Sequence, residues 1–374
     1  MKYFLIAGEA SGDLHASNLI KALKQQDSEA QFRFAGGDYM ARITGTQPVV
    51  HYKDMAFMGI WDVVKHIGII RKNFKRVKEA VYHFAPDAVI LVDYPGFNLR
   101  MARWAKQRGY KVFYYISPKL WAWKEGRIKI IERYVDKMFV ILPFEVDFYR
   151  KHGIDAEYVG NPVKEAVENY RPLSQEAFRK KFHLSDKPLI ALLPGSRKTE
   201  IKLMLPVMEK LTDLYPSYEF VIAGAPSLMQ SDYEEVWAGK KIKIIRNATY
   251  DLLANARSGV ITSGTATLET ALLRLPQVVG YRTYPLQYFL GKLIVDIDYF
   301  SLVNLILNKP AVPELLQDAF SPGQIKRHLD EILDGNKRTR MLADYEMLDK
   351  TIGSYKASEK TAGHILSFLR QSKN

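Results

Sequence analysis

The chain has 374 residues, 47% of them hydrophobic, which is enough material for two domains with separate cores. It has no cysteine, which excludes disulfides and thiolate chemistry, and no apolar run reaches the ~18 residues of a membrane-spanning helix. A cytoplasmic protein, soluble or peripheral to a membrane, is expected. The net charge of +13 predicts anionic partners, and a membrane face and phosphorylated substrates can both serve as such. No basic stripe interleaved with aromatic residues marks a nucleic-acid-binding module, so no nucleic acid is expected.

Short apolar segments alternate with amphipathic ones in the first half, which is typical of an α/β fold with a parallel sheet. A long helix is predicted at 57–84, and another from the Gly8–Asp13 turn to about Lys24. Strands are predicted at 2–7, 31–35, 87–93, 111–116, 137–142 and 158–163. A Gly-Asn-Pro turn at 160–162 marks the end of a domain that spans 1–162.

The second half repeats this alternation and forms a domain over 163–354. Strands are predicted at 189–193, 219–223, 242–245, 259–262 and 277–280, with helices near 250–256 and 266–273. The tail at 355–374 has a helical period and is able to pack back on the first domain. The sequence thus predicts two doubly wound, Rossmann-like α/β domains that face each other across a cleft.

A phosphate-type turn opens the second domain. The apolar run Leu189–Leu193 precedes Gly195-Ser196-Arg197, and an amphipathic helix follows from Thr199. A strand, a glycine turn and a helix start in this order direct backbone N–H groups and the positive helix end toward the strand's carboxyl edge, where phosphate groups bind. The guanidinium of Arg197 adds a full charge. We therefore predict that Gly195, Ser196 and Arg197 contact a phosphate.

A second turn of this type is formed by Ser263, Gly264 and Thr265, which end one strand and open the next helix. A diphosphate between the two turns would meet two helix N-termini. Glu269 lies one helical turn beyond Thr265, where a carboxylate can accept both hydroxyls of a ribose. These residues predict a nucleotide site. The alternative is an ordinary helix capped by Thr265 and followed by an exposed glutamate.

A carboxylate ends the apolar strand at 87–93. Asp93 would lie at the edge of a parallel sheet where ligands bind, and a carboxylate in that position can serve as a general base. The alternative is a capping aspartate before the Pro95-Gly96 turn.

The sequence gives little support for redox or metal chemistry. The Gly8–Asp13 turn lacks the G-x-G-x-x-G spacing of dinucleotide-dependent oxidoreductases. Asp296 and Asp298 match a short metal-binding pattern, but ordinary surface carboxylates have the same spacing. No paired histidine motif is present in the sequence. We expect no cofactor and no required metal, because arginine and helix ends can neutralise a diphosphate.

Several stretches, in order from residue 7 to beyond 300, resemble the lipid-A-disaccharide synthase family of Gram-negative bacteria. The match is specific, because Gly-Glu-Ala-Ser-Gly-Asp and Trp-Ala-Trp are not general features of α/β proteins. The matching stretches are Ala7-Gly-Glu-Ala-Ser-Gly-Asp13, Met58-Gly59, Val92-Asp-Tyr-Pro-Gly-Phe-Asn98, Ser117-Pro-Lys-Leu-Trp-Ala-Trp123, Leu142-Pro-Phe-Glu145, Leu193-Pro-Gly-Ser-Arg197, Ser263-Gly-Thr-Ala266 with Leu268-Glu269, and Asn304.

The resemblance implies a glycosyltransferase-B-like fold and an inverting hexosyl transfer in lipid A biosynthesis. The implied donor is UDP-2,3-diacylglucosamine and the implied acceptor is 2,3-diacylglucosamine 1-phosphate (lipid X). The products would be a β-1,6-linked lipid A disaccharide 1-phosphate and UDP. The resemblance also implies a homodimer, in some members with exchanged C-terminal parts, and a location on the inner face of the inner membrane.

Residue roles follow from this reading. Asp93 is expected to be the base, Arg197 and the Ser263–Thr265 turn to hold the diphosphate, and Glu269 to hold the ribose. Glu9 and Ser11 lie in the first turn, opposite the nucleotide half, so they are expected to contact the acceptor. The acceptor or sugar contacts expected in all are Glu9, Ser11, Asn98 and Asn304.

The helix predicted from 57 has an apolar stripe at helical spacing, formed by Ile60, Val63, Ile67, Ile70, Phe74 and Val77. Further apolar residues fall outside this stripe and basic residues lie close by, which suits a helix that touches an anionic leaflet. The membrane contacts expected are Phe57, Met58, Trp61, Val64, Ile69, Lys72, Lys75 and Arg76. The alternative is a core helix with a solvated basic face and a dimer contact.

Two other functions remain open on the sequence. A UDP-N-acetylglucosamine 2-epimerase would use a similar two-domain scaffold but would act on the UDP-sugar alone. A non-catalytic lipid carrier would bind lipid and release no UDP.

Overall fold

The structure is a computed structural model that describes residues 1–55, 66–120, 125–237, 242–285, 287–289 and 297–372. The chain divides into two compact units, one formed by Met1–Pro162 with Ser354–Asn374 and the other by Val163–Gly353. Each unit contains a six-stranded parallel sheet with helices between the strands. This confirms the predicted α/β class and its doubly wound, Rossmann-like architecture.

The N-terminal unit has its strands in the order β2-β1-β3-β4-β5-β6. The strands are β1 (Lys2–Ala7), β2 (Gln31–Ala35), β3 (Ala88–Val92), β4 (Lys111–Tyr115), β5 (Lys137–Val140) and β6 (Ala156–Tyr158). The described helices are α1 (Ala10–Gln26), α2 (Asp38–Thr44), α3 (Ile67–Phe84), α4 (Pro95–Lys106), α5 (Ile128–Tyr134), α6 (Glu145–Lys151) and, at the end of the chain, α17 (Ala357–Gln371).

Strand β1 shows how this sheet is buried on both faces. Tyr3 and Leu5 pack in one apolar cluster with Ile365 of α17, whereas Phe4 packs in a second cluster with Val77 of α3. Alternate side chains of a strand point to opposite faces, so a strand covered on both sides reads as a continuous apolar run. The C-terminal helix therefore covers one face of the first sheet.

The C-terminal unit has its strands in the order β12-β11-β10-β7-β8-β9. The strands are β7 (Leu189–Leu193), β8 (Glu219–Gly224), β9 (Lys243–Arg246), β10 (Ser258–Thr262), β11 (Gln277–Tyr281) and β12 (Glu314–Leu316). The described helices are α7 (Pro162–Asn169), α8 (Gln175–Phe182), α9 (Lys198–Glu209), α10 (Leu211–Leu214), α11 (Gln230–Glu234), α12 (Thr249–Asn255), α13 (Thr265–Leu272), α14 (Leu302–Leu307), α15 (Pro322–Leu333) and α16 (Asn336–Ile352).

One predicted strand is placed wrongly. The segment 158–163 was expected to be extended, but β6 ends at Tyr158 and Pro162 is the first residue of α7. Proline is favoured in the first turn of a helix, because its missing N–H would have no partner there. No helix in the described part of the chain has both the length and the apolar character required to cross a membrane.

Candidate active site

Four neighbouring strands of the N-terminal sheet bring polar side chains to one edge. Glu9 follows β1, Asp93 follows β3, Ser117 follows β4 and Glu145 lies beyond β5. The carboxyl ends of parallel strands meet at the same edge of a sheet, which is where α/β proteins bind ligands.

The backbone of Asp93 is held in a strained conformation. Asp93 and Tyr94 have φ angles of 48° and 51°, in the left-handed region that side chains other than glycine seldom adopt. The Asp93 carbonyl accepts hydrogen bonds from the Tyr114 hydroxyl and the Asn98 side-chain amide, both at 2.7 Å. The Asp93 N–H donates to the Tyr115 carbonyl at 3.1 Å. Such strain persists only where the surroundings enforce it, and it is common at active sites.

The Asp93 carboxyl is half-buried, and its pKa is raised to about 6. Burial is the larger cause because it disfavours the charged form, and the nearby negative charge of Glu9 acts in the same direction. The Tyr94 N–H and Lys119 oppose the shift. A base with a pKa near the working pH is ionised and still basic enough to take a proton.

The first turn packs closely against the Asp93 turn. A Cβ added at Gly8 would lie 2.1 Å from the Tyr94 ring, so only glycine fits at this position. The Tyr94 hydroxyl donates to the carbonyl of Met55. Glu9 is half-buried and Ser11 is exposed. Of the predicted acceptor residues, Glu9 lies close enough to Asp93 to act on its charge, and Ser11 is exposed in the first turn of α1.

Asn98 does not lie on the surface. Its side chain is fully buried, and its amide donates to the carbonyls of Ile6 (3.4 Å), Val92 (3.2 Å) and Asp93 (2.7 Å). The predicted direct contact with the acceptor is therefore corrected: Asn98 supports the backbone that carries Asp93.

Two polar contacts in the matching stretches were not predicted. The buried Asp13 carboxylate accepts hydrogen bonds from the N–H groups of Gly37 (2.7 Å), Tyr39 (2.9 Å) and Met40 (3.3 Å), and so caps α2. The Ser117 hydroxyl donates to Glu145 at 2.6 Å. The partners are 24 to 28 residues apart, so no local pattern signals either contact.

In the C-terminal unit the two predicted phosphate turns lie side by side. Strands β7 and β10 are paired with Leu193 opposite Ile261, so the turns that follow them emerge at adjacent positions. Helix α9 begins at Lys198 and α13 at Thr265. The structure thus brings Arg197 and the Ser263–Thr265 turn to one edge of the sheet.

The Ser263–Thr265 turn differs in detail from its predicted form. The Ser263 hydroxyl donates to the Phe300 carbonyl at 2.7 Å, and its N–H donates to the Gly280 carbonyl at 2.9 Å. Gly264, not Thr265, is the N-cap residue, and no side chain caps α13. Gly264 and Thr265 are exposed. The backbone at the start of α13 is therefore the part of this turn that is open to a ligand, because the first N–H groups of a helix have no partner within it.

Glu269 is held by a neighbouring phenol. The Tyr250 hydroxyl donates to Glu269 Oε1 at 2.8 Å. Burial raises the pKa of Glu269, and this hydrogen bond partly offsets the rise. The second carboxylate oxygen keeps its capacity to accept a hydroxyl.

The turn before α9 is closed by a carboxylate from the first turn of that helix, a contact that the sequence did not predict. Glu200 Oε2 accepts the N–H of Ser196 at 2.8 Å, and Oε1 accepts the guanidinium of Arg197 at 3.1 Å. The predicted backbone cradle for a phosphate at Gly195 and Ser196 is therefore occupied by this chain's own side chain.

Asn304 is a buried brace. It is 1% exposed, and its amide nitrogen donates to the Val312 carbonyl and to Glu314, both at 2.9 Å, while its oxygen accepts the N–H of Val312 at 2.9 Å. The predicted contact with the acceptor is corrected accordingly.

Half of the predicted membrane residues can be located. Phe57, Met58, Trp61 and Val64 lie outside the described residues, as do Trp121, Trp123 and Asp296 of the other motifs. On α3, Ile69, Lys72, Lys75 and Arg76 are exposed, and Ile69 keeps 45% of its surface accessible. Ile67, expected in the buried stripe, is 48% exposed at the first residue of α3, whereas Val77 of the same stripe is fully buried.

Solved structures with the same architecture include a UDP-GlcNAc 2-epimerase and a glycotransferase. UDP-GlcNAc 2-epimerase from Neisseria meningitidis, solved with UDP-GlcNAc bound, matches with a TM-score of 0.69 at 13% identity, over 98% of this chain and 100% of that one. The glycotransferase of kitacinnamycin matches with a TM-score of 0.60 at 12% identity, over 98% and 99% of the two chains. The two doubly wound units therefore define a glycosyltransferase-B-like fold.

Sequence comparison identifies the family within this class. Lipid-A-disaccharide synthase from Geobacter metallireducens is 37% identical over 376 residues, which cover 98% of this chain and 97% of the relative. The corresponding protein from Myxococcus xanthus is 36% identical over 376 residues, with the same coverage. The family model described as lipid-A-disaccharide synthetase matches residues 3–364. The chain belongs to the lipid-A-disaccharide synthase family, and it is a glycosyltransferase.

Proposed function

We propose that this protein transfers 2,3-diacylglucosamine from UDP-2,3-diacylglucosamine to lipid X, with inversion at the anomeric carbon. The products are the β-1,6-linked lipid A disaccharide 1-phosphate and UDP. Family membership supports the reaction class. The observation that carries the mechanism is the half-buried Asp93 carboxyl at the strand edge, whose pKa is raised to about 6.

The Asp93 carboxylate acts as the base in this proposal. It removes the proton from the acceptor hydroxyl while that oxygen attacks the anomeric carbon of the donor. The bond between this carbon and the diphosphate oxygen breaks, and its electron pair leaves with UDP. A positioned base contributes about a hundredfold or more to such a step. The hydrogen bonds from Asn98 and Tyr114 to the Asp93 carbonyl hold the backbone that carries the carboxylate.

The nucleotide binds the C-terminal unit in this proposal. Arg197 and the exposed backbone of Gly264 and Thr265 neutralise the diphosphate, whose negative charge grows as the bond breaks. Glu269 receives the ribose hydroxyls through the oxygen that Tyr250 does not use. This placement is supported by the pairing of β7 with β10, because the two turns follow these neighbouring strands.

The acceptor contacts proposed are Glu9, which lies near Asp93, and Ser11, which is exposed at the start of α1. The exposed apolar and basic side chains of α3 are proposed to touch the anionic inner face of the inner membrane, since both substrates carry acyl chains. A homodimer remains a prediction, which the mass of the particle in solution tests.

The function is tested by measuring UDP release in four mixtures: donor with lipid X, donor alone, donor with free glucosamine 1-phosphate, and UDP-N-acetylglucosamine alone. The proposal requires UDP and disaccharide in equal amounts from the first mixture only. Conversion of UDP-N-acetylglucosamine without an acceptor would instead indicate an epimerase. Binding of both lipids without UDP release would indicate a carrier.

A further inference from the structure

The turn between β7 and α9 is closed by Glu200, a residue of the first turn of α9. Its Oε2 atom accepts the N–H groups of Ser196 (2.8 Å) and Arg197 (3.3 Å), and Oε1 accepts a guanidinium N–H of Arg197 at 3.1 Å. The Glu200 side chain is only 13% exposed. One carboxylate thus accepts two backbone N–H groups of the turn and one guanidinium N–H of Arg197.

Gly195 makes room for this carboxylate. Its φ angle is +118°, and an added Cβ would lie 2.4 Å from Glu200 Oε2 and 2.6 Å from Glu200 Cβ. In phosphate-binding turns, glycine allows the ligand to approach the backbone. Here the space that glycine leaves is filled by the side chain of Glu200. The anion that this turn binds is therefore a carboxylate of the same chain.

A phosphate cannot use the same donors while Glu200 stays. It would have to displace a mostly buried carboxylate and leave that charge without its three hydrogen bonds, which is costly. The Arg197 side chain, in contrast, keeps 57% of its surface exposed. A ligand can therefore reach the guanidinium without entering the turn.

The arginine and the glutamate also influence the end of β11, the strand next to β10. The pKa of Tyr281, at the end of β11, is raised mainly by burial. The negative charge of Glu200 raises it further, and the positive charge of Arg197 lowers it. Both charges are therefore close enough to act at the β10–β11 side of the sheet, where the Ser263–Thr265 turn lies.

We propose that Glu200 is a positioning residue for the nucleotide. It remains in its turn, holds Arg197 toward the ligand, and leaves the start of α13 as the backbone site for the diphosphate. This inference rests on the proposed function, because it assumes that UDP binds beside Arg197.

The test is the affinity for UDP, measured by calorimetry on the whole protein, in the wild type, Glu200→Gln, Arg197→Ala and the double variant. Glutamine keeps the shape and one acceptor for the N–H groups, but it loses the acceptor for the guanidinium. We expect Glu200→Gln to weaken UDP binding about tenfold, which is typical for loss of a charged hydrogen bond. In the Arg197→Ala background the same substitution should change the affinity less than about twofold, because the arginine it positions is absent.

Ser321→Ala is the matched control, since Ser321 accepts the Gln324 N–H as the N-cap of α15 in the same unit. It should lower the melting temperature and leave UDP affinity unchanged. Glu200→Asp, which keeps the charge but is too short to reach the guanidinium, should bind UDP as weakly as Glu200→Gln.

Three outcomes overturn the inference, and a fourth rejects the nucleotide site on which it rests. Tighter UDP binding by Glu200→Gln would show that the carboxylate competes with the phosphate. An equal loss in both backgrounds would show general damage to the turn. If Glu200→Gln binds UDP with wild-type affinity while Arg197→Ala binds it more weakly, the positioning role of Glu200 is rejected and the nucleotide site stands. If Arg197→Ala binds UDP with unchanged affinity, the proposed nucleotide site itself is rejected.

Discussion

The side-chain amide of Asn98 donates a 2.7 Å hydrogen bond to the backbone carbonyl of Asp93, and Asn98 is fully buried. The backbone of Asp93, the residue proposed as the base, is thus held by a side chain that has no exposed surface. The same amide also bonds the carbonyls of Val92 and Ile6, which belong to neighbouring strands.

Asn98→Ala is therefore expected to lower stability and turnover together. Three buried carbonyls would lose a donor, which costs about 1–3 kcal/mol, and Asp93 would be less well aimed. Thermal unfolding and initial rates at saturating substrate measure the two effects. UDP affinity should not change, because the nucleotide is proposed to bind the other unit. A rate that stays at the wild-type level despite a lower melting temperature would reject a positioning role.

The pH dependence of kcat/KM should report on Asp93. The ionised carboxylate is the active form, so the rate should rise as the pH increases through about 6 and level off above it. Removing the negative charge of Glu9 in Glu9→Gln lowers the pKa of Asp93, because repulsion from Glu9 contributes to the rise. The acid limb should then move to lower pH. Movement to higher pH, or none, would contradict this electrostatic coupling.

Asn304→Ala should behave as a structural variant. The amide of Asn304 bridges the Val312 backbone and Glu314, and it is 1% exposed. We expect a stability loss of about 1–3 kcal/mol, since buried partners are left unpaired, with KM for the acceptor within about twofold of wild type. An acceptor KM raised tenfold in a protein of unchanged stability would restore the direct contact.

Membrane binding is tested on the described part of α3. The triple variant Ile69→Ser, Lys72→Ser, Lys75→Ser removes one exposed apolar side chain and two positive charges. Each charge contributes ~1 kcal/mol to binding an anionic surface. Sedimentation with anionic vesicles should show binding that weakens with salt and falls about thirtyfold or more in the variant. The control, Lys180→Ser with Lys181→Ser on α8, makes the same change in charge elsewhere. Equal losses in both would mean that only net charge matters.

Most strands were predictable because both sheets are buried on two faces. The run Ala88–Val92 is wholly apolar and fully buried, so its position follows from hydrophobicity alone. Strand β12 was missed because it has only three residues, too few for a pattern. The error at β6 arose because a partly apolar segment that contains a Gly-Asn-Pro turn resembles a strand end, although Pro162 begins a helix.

The candidate site, like the fold, was predictable from the sequence only in part. The position of Asp93 followed from a carboxylate at the end of an apolar strand. The burial of Asn98 and Asn304 could not be predicted, since an amide in a motif looks the same whether it faces a ligand or a backbone carbonyl. The occupation of the Arg197 turn by Glu200 has a local signature, a glutamate three residues after the N-cap. That signature was read only as the opening of a helix.

The most direct test of the account is the identity of the product made by the wild type and by Asp93→Asn from donor and lipid X. Mass spectrometry measures the yield of disaccharide, and the proton coupling at the anomeric carbon in NMR gives its configuration. We expect a β-linked disaccharide formed with an equal amount of UDP. In Asp93→Asn the rate should fall about a hundredfold or more, with unchanged UDP affinity. An α-linked product, or a wild-type rate in Asp93→Asn, would contradict inverting transfer with Asp93 as the base.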